Sequence, residues 1–459
     1  MKRENCWINY DENEVKKLEE INDLYKKMLD DGKTERECVA LIIDFAIKAG
    51  YKNLKDIIKN KESVKIGDKV YYEFMGKSIV LYQIGEENIE NGMNILGAHI
   101  DSPRIDIKQN PLYEDNELAL LDTHYYGGIK KYQWVAKPLA LHGVIVKKDG
   151  TKVDIKIGEK EEDPVFVITD LLAHLSAEQM SKKANVVVEG ENLDLLIGNK
   201  PLKGEEKDAV KANILKLLKD TYDIEEEDFL SAELEIVPAG KARDCGIDRS
   251  MIMGYGQDDR VCAFTSLMAM LKDKKIKRTS CLILVDKEEI GSVGATGMHS
   301  RFFENSLAEL MDRMGEYSEL KLRRALENSK MLSSDVSAAY DPLYASAYEK
   351  KNSAFFAKGL VFNKFTGSRG KSGSNDANAE YIAHLRDIMD RNNVTFQTAE
   401  LGKVDLGGGG TIAYIMANYG MQVIDSGVAV LCMHAPWEIT SKADIYEAVK
   451  GYRAFLDEA

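Results

Sequence analysis

The chain has 459 residues, of which 44% are hydrophobic and 30% charged, and its formal net charge is −14. That is the composition of a soluble globular protein with room for two or three domains, not of a disordered chain. The longest apolar runs, 281–285 and 428–433, are too short to span a bilayer, and the acidic balance argues against binding nucleic acid by bulk electrostatics.

The opening Met1-Lys-Arg-Glu-Asn-Cys-Trp has no apolar stretch behind its charges. No secretory leader is expected, and a cytoplasmic location is. Residues 11–50 read as two helices, the second announced by the capping box Thr34-Glu-Arg-Glu37 and closed by Gly50. Alternation over 69–84 around Gly76-Lys77 predicts a hairpin, and 93–99 predicts a short strand ending in His-Ile-Asp. From about residue 109 to 150 the sequence turns irregular, aromatic and glycine-containing, with strands expected only at 139–147 and 152–157. A helix over 208–220 and a strand over 233–237 follow. From 245 onward strands (281–286, 331–336, 360–364, 428–433) alternate with amphipathic helices (258–271, 378–391, 411–419, 443–456). The pattern predicts an α/β fold, a helix-covered mixed sheet interrupted by an insertion. The expected division is 1–108 and 245–459 for the sheet domain and 109–244 for the insertion. The six cysteines (Cys6, Cys38, Cys245, Cys262, Cys281 and Cys432) are scattered without CxxC spacing and are expected to be reduced and buried.

There are only seven histidines, and two of them, His99 and His434, close apolar strands beside acidic residues. In α/β sheets, sites collect at the carboxyl ends of strands. His99 and Asp101 share a face of their strand, and a metal-bound histidine takes a carboxylate or carbonyl on its other ring nitrogen. Gln257-Asp258-Asp259 opens a helix, where acidic residues also suit the dipole without any metal. Glu288-Glu289 and Asp335 follow two further strands. Histidine and carboxylate donors without thiolates suit catalytic zinc, cobalt or manganese. The chain lacks GxSxG, a P-loop lysine motif and HExxH. Gly407–Gly410 can cradle an anion through its N–H groups or simply pack closely.

In these segments the chain resembles the M18 family of metalloaminopeptidases, best known through the aspartyl aminopeptidases. The resemblance rests on Ala98-His99-Ile-Asp101-Ser-Pro103, Tyr126-Gly127-Gly128, Gln257-Asp258-Asp259, Lys287-Glu288-Glu289-Ile-Gly291, Ser334-Asp335 and Met433-His434, in the family's order over nearly the whole length. It implies the fold of a dinuclear zinc peptidase with an inserted, mainly β dimerisation domain. It implies two zinc ions per chain, replaceable by cobalt or manganese. Asp258 would bridge them, His99 and Asp335 would hold one, and Glu289 and His434 the other. Glu288 would be the general base and Asp101 the orienting carboxylate. The substrates implied are peptides with a free amino end, and the assembly is a tetrahedral dodecamer built from dimers. In it a histidine of the insertion, matching His174, reaches a neighbour's site.

The sequence departs from the family pattern in two places. Gln257-Asp258-Asp259 replaces the common Leu-Asp-Asn. The stretch 360–371 does not align cleanly with the pocket for an acidic first residue, where Lys364, Arg369 and Lys371 are the candidate cations. A preference for Asp or Glu is therefore a separate expectation, resting on Lys364. Two other readings stay open: a two-metal exopeptidase or N-acyl deacylase acting on a different amide, and a non-catalytic cargo or assembly protein with the same shell.

Overall fold

The two opening helices start on the signals their sequences carry. Asp11 caps Glu12–Asp31 and Thr34 caps Glu35–Lys48. In each, the cap side chain accepts the N–H of the third helical residue, and that residue, Glu14 or Glu37, reaches back to the cap N–H. Leu18, Asn22, Tyr25 and Leu29, spaced three and four apart, are the buried stripe of the first helix. The expected hairpin is Lys69–Phe74 against Ser78–Gln83, turning on left-handed Met75 and Gly76. The structure, a computed structural model, describes residues 4–272 and 275–459; residues 1–3, at the head of the stretch read for a leader, lie outside it. Among the described residues no helix is long and apolar enough to cross a membrane.

Two compact units divide the chain. The first comprises the residues up to Asp101, Ala242–Met433 and Glu438–Ala459. Its main sheet has nine strands, in spatial order Lys52–Asn53, Lys69–Phe74, Ser78–Gln83, Thr279–Val285, Met93–His99, Lys330–Ser333, Gln422–Gly427, Leu360–Asn363 and Phe396–Thr398. The four strands from Thr279–Val285 to Gln422–Gly427 run parallel. Successive residues feed opposite faces: Leu96 and Ala98 join one core, with the helices Gln257–Met270 and Lys442–Glu458, while Met93 and Ile95 join another, with Phe302–Arg313. Each such buried aliphatic side chain contributes roughly 1.5–3 kcal/mol. Gln257–Met270, expected as an amphipathic helix over 258–271, is instead buried almost all round.

Several expectations need correction here. The strand expected at 428–433 is only Ala429–Leu431, and it belongs to a separate five-stranded sheet with Arg243–Cys245, Met251–Gly254, Glu438–Ser441 and Ser337–Ala338. Its neighbour in sequence, Gln422–Gly427, is the strand that joins the main sheet, obscured by Gln422, Asp425 and Ser426. The strand expected over 331–336 stops at Ser333, and the helix expected over 411–419 is Ala413–Ala417. Of the cysteines, Cys245 is only half-buried and Cys432 is exposed, lying past the end of its strand in left-handed backbone; none of the six forms a disulfide.

The second unit is Ser102–Lys241 with His434–Trp437. It starts at Ser102 rather than 109 because its first strand, Arg104–Asp115, follows almost directly on Met93–His99, with no compositional break. It ends at Lys241 rather than 244, since Arg243–Cys245 pairs within the first unit. The supposedly irregular stretch contains a long hairpin, Arg104–Asp115 with Leu118–Tyr126, turning on left-handed Asn116 and Glu117. A register shift between Ile107 and Leu112 breaks its alternation, which hides it from a period-two reading. The whole six-stranded sheet is antiparallel, in the order Lys152–Ile157, Leu139–Val146, Ala232–Pro238, Arg104–Asp115, Leu118–Tyr126, Leu195–Gly198.

Candidate metal centre

The parallel strands of the first unit end together. Val285 lies beside His99, and Ser333 beside Gly97. The chain therefore leaves the carboxyl edge of the sheet at His99, just before Glu288-Glu289 and just before Asp335, the place where α/β sheets carry their sites. His99 is 2% exposed. Its Nδ1 lies 2.9 Å from the backbone oxygen of Asp101 and 3.4 Å from the Asp101 carboxylate. A carbonyl oxygen cannot donate, so Nδ1 carries the hydrogen and Nε2 of the neutral ring has a lone pair. That Nε2 stands 3.2 Å from Asp258 Oδ1 and 3.8 Å from Glu288 Oε2. A lone pair facing carboxylate oxygens is repelled unless a cation, proton or metal, stands between them.

His99, Asp258 and Asp335 offer ligand atoms all within 4.8 Å of one another, and so do His99, Glu288 and Glu289. Nitrogen and carboxylate donors without a thiolate are a set that catalytic zinc accepts; the residues present fit that ion. The electrostatics agree. Burial pushes the His99 imidazolium down, but the hydrogen bonds to Asp101 and Asp258 and the charge of Glu288 outweigh it, and the ring holds a proton well above its usual range. Asp335 is driven well up by burial and, against the pull of His99, by Glu288 and Asp258. Asp259 is driven up by burial and by Asp335. Such crowding of carboxylates is what a divalent ion relieves.

Asp101 does more than face His99. Its Oδ1 accepts the N–H of Glu288 and its Oδ2 that of Glu289, both at 3.2 Å. One carboxylate thus holds the backbone of both glutamates. Left-handed Lys287 and Gly291 bracket the short turn Glu288–Ile290.

Three residues around Asp258 were not singled out individually from the sequence. The Asp258 N–H donates to Glu438 Oε2 at 2.9 Å, and Asp259 Oδ2 accepts the His99 N–H at 3.3 Å; the peptide between Asp258 and Asp259 is cis. Gln257 is wholly buried. Its Nε2 donates to the carbonyls of Ile252 (3.2 Å) and Glu438 (2.7 Å), and its Oε1 accepts from Tyr25 Oη (3.1 Å) and Thr440 Oγ1 (2.5 Å). That uses the full hydrogen-bonding capacity of the amide. The available signal was three polar residues at the head of a helix buried on every side.

Lys364 is half exposed and its Nζ is 3.3 Å from Asp376, which also pairs with Lys371 at 2.9 Å. His174 is exposed, in the short turn Ala173–Leu175 of the second unit. His434 also falls in the second unit. It does not close a strand, as expected, but sits beyond Leu431 in left-handed backbone, and its Nδ1 is 2.9 Å from the carbonyl of Gly128.

A family model described as "Aminopeptidase I zinc metalloprotease (M18)" matches residues 28–456. This chain belongs to the M18 family. It is accordingly a hydrolase of the metalloaminopeptidase class. A probable M18 family aminopeptidase 1 of Clostridium acetobutylicum is 63% identical over 454 residues, 99% of this chain and 98% of that one. The crystal structure of aminopeptidase I from Clostridium acetobutylicum superposes with a TM-score of 0.93 at 61% identity, covering 99% of both chains. That of an M18 family aminopeptidase from Thermotoga maritima gives 0.96 at 44% identity over 100% of both. The mixed α/β architecture is theirs.

Proposed function

We propose that this M18 enzyme removes the first residue from peptides with a free amino end, using two zinc ions per chain that cobalt or manganese can replace. His99 and Asp335 would hold one ion and Glu289 and His434 the other, with Asp258 shared between them. The observation that carries the reading is His99 Nε2 set 3.2 Å from Asp258 Oδ1 and 3.8 Å from Glu288 Oε2, a place for a cation. When bound, the ions supply Lewis acidity toward the scissile carbonyl and the charge that grows on its oxygen. Glu288 takes a proton from the attacking water and passes it to the departing amine. Asp101 keeps Glu288 and the His99 ring in place. Cysteines outside any disulfide suit a cytoplasmic enzyme.

The second unit serves as the dimerisation domain of a tetrahedral dodecamer, with His174 acting in a neighbour's site. In support, Leu171, Leu172, Leu175 and Met180 around it are all exposed, an apolar group that association would cover. Lys364 would meet an acidic first residue, in competition with Asp376. One preparation tests the core of the reading. Dialysed protein should hold two zinc ions per chain and Asp258→Asn clearly fewer; a single ion in the wild type would overturn the two-ion assignment.

A further inference from the structure

The motif Tyr126-Gly127-Gly128 has no part in the chemistry above, yet it ends on the atom that fixes His434. The geometry points to Gly128 as a positioning residue for the second metal ion, acting through His434; the inference rests on the ligand role proposed for that histidine. His434 Nδ1 lies 2.9 Å from the Gly128 carbonyl oxygen. Because the carbonyl can only accept, Nδ1 must donate, and in the neutral ring the lone pair that a metal would take is on Nε2. Partners of this kind orient a metal-binding histidine and raise its basicity.

The turn that presents the carbonyl is itself held. Arg104 and Tyr126 are opposite residues of the hairpin Arg104–Asp115 with Leu118–Tyr126. The Arg104 guanidinium lies 3.9 Å from the centre of the Tyr126 ring. It is anchored in turn by Asp106 at 2.7 Å and Glu235 at 3.2 Å. Directly after that clamp, Gly127 takes a left-handed conformation (φ 75°) and delivers Gly128 against the imidazole. A Cβ on Gly128 would lie 3.3 Å from His434 Nδ1 and 3.7 Å from Cε1. That contact is tight, so a methyl group would make the ring give by a few tenths of an ångström.

The test uses the full-length protein and zinc or cobalt ions alone. Chelator competition gives the affinity of each ion, and the cobalt absorption spectrum reports the geometry of each site. His434→Ala should leave one tight ion. Gly128→Ala should still bind two, with the second weakened by about 10- to 100-fold and its cobalt spectrum altered, while the first ion and the melting temperature of the metal-free protein stay unchanged. Tyr126→Leu, which loosens the clamp, should weaken the same ion less. If His434→Ala keeps both ions at wild-type affinity, the ligand reading fails and Gly128 has nothing to position. If His434→Ala loses one ion but Gly128→Ala holds both normally with an unchanged spectrum, the positioning role alone is overturned. Equal weakening of both ions by Gly128→Ala would make the turn merely structural and also overturn it.

Discussion

His99 and His434 give the same ring nitrogen to a backbone carbonyl, at 2.9 Å in both cases. The carbonyls come from very different places. For His99 it is two residues along the same chain segment; for His434 it is 306 residues away. His99 closes a central strand and is buried among residues of one core, whereas His434 sits half-buried in a left-handed link. A local lock forms as soon as its strand does. A remote lock exists only while the turn at 126–128 is folded, so the geometry at His434 should be the softer of the two.

The largest effect that probes the first of these regions should come from Glu288→Gln, which keeps the size of the side chain and the bonds from Asp101 but cannot accept a proton. Turnover should fall by about 10²- to 10⁴-fold with both zinc ions retained; near-normal kcat would assign the base elsewhere. Next comes the contrast itself. His99→Gln and His434→Gln should each cost zinc, but mild urea, below the unfolding transition, should release the His434-side ion first in the wild type. Simultaneous release of both would erase the distinction drawn here.

The pH response of the metal-free protein sharpens it further. His99, Asp259 and Asp335 all have folded pKa values above their ordinary ones. Burial also pushes Asp425 up to about 7 and Asp444 to about 8. In each case the folded state binds more protons than the unfolded chain between the two pKa values. Stability therefore falls as pH rises, starting near the unfolded carboxylate value of about 4. Metal-free protein should melt progressively lower from pH 5 to 8, and zinc should flatten the part due to His99, Asp259 and Asp335. A melting temperature that rises over that range without metal would refute the assignment.

The smallest effect concerns substrate choice, in a part of the first unit remote in sequence from both histidines. Asp376→Asn frees Lys364 and Lys371 from a shared partner, and should raise kcat/KM for glutamyl over leucyl substrates by a few-fold, about what one exposed ion pair is worth. Lys364→Met should do the reverse. No change in either ratio would detach Lys364 from specificity.

Where sequence reading succeeded and failed follows the same divide between local and remote. The capping boxes at Thr34 and, unnoticed, at Asp11 are local, as are the apolar run closing on His99 and the hairpin around Gly76. The ligand candidates at strand ends were legible because residue type and strand boundary coincide there. What was lost depends on partners far along the chain. Gln422–Gly427 is a strand because its neighbours Lys330–Ser333 and Leu360–Asn363 bury it, not because its residues alternate. The 104–126 hairpin carries a bulge that defeats periodicity. Asp259 and Glu438 matter through single bonds to His99 and Asp258, which no spacing rule announces.

Gln257 gathers Tyr25, Ile252, Glu438 and Thr440 onto one amide, and Asp258 beside it is bonded through its N–H to Glu438. Synthesis runs from the amino end, so most of the protein is already made before residues 438–440 can reach this clasp. A growing chain on the ribosome holds His99, Asp258, Glu288, Glu289 and Asp335 long before the element that sets the backbone of Asp258. The expectation is that metal capture waits for the carboxyl-terminal segment. Ribosome-bound chains stalled before residue 438 should fail to retain zinc, while chains extended past residue 459 by a linker should retain it.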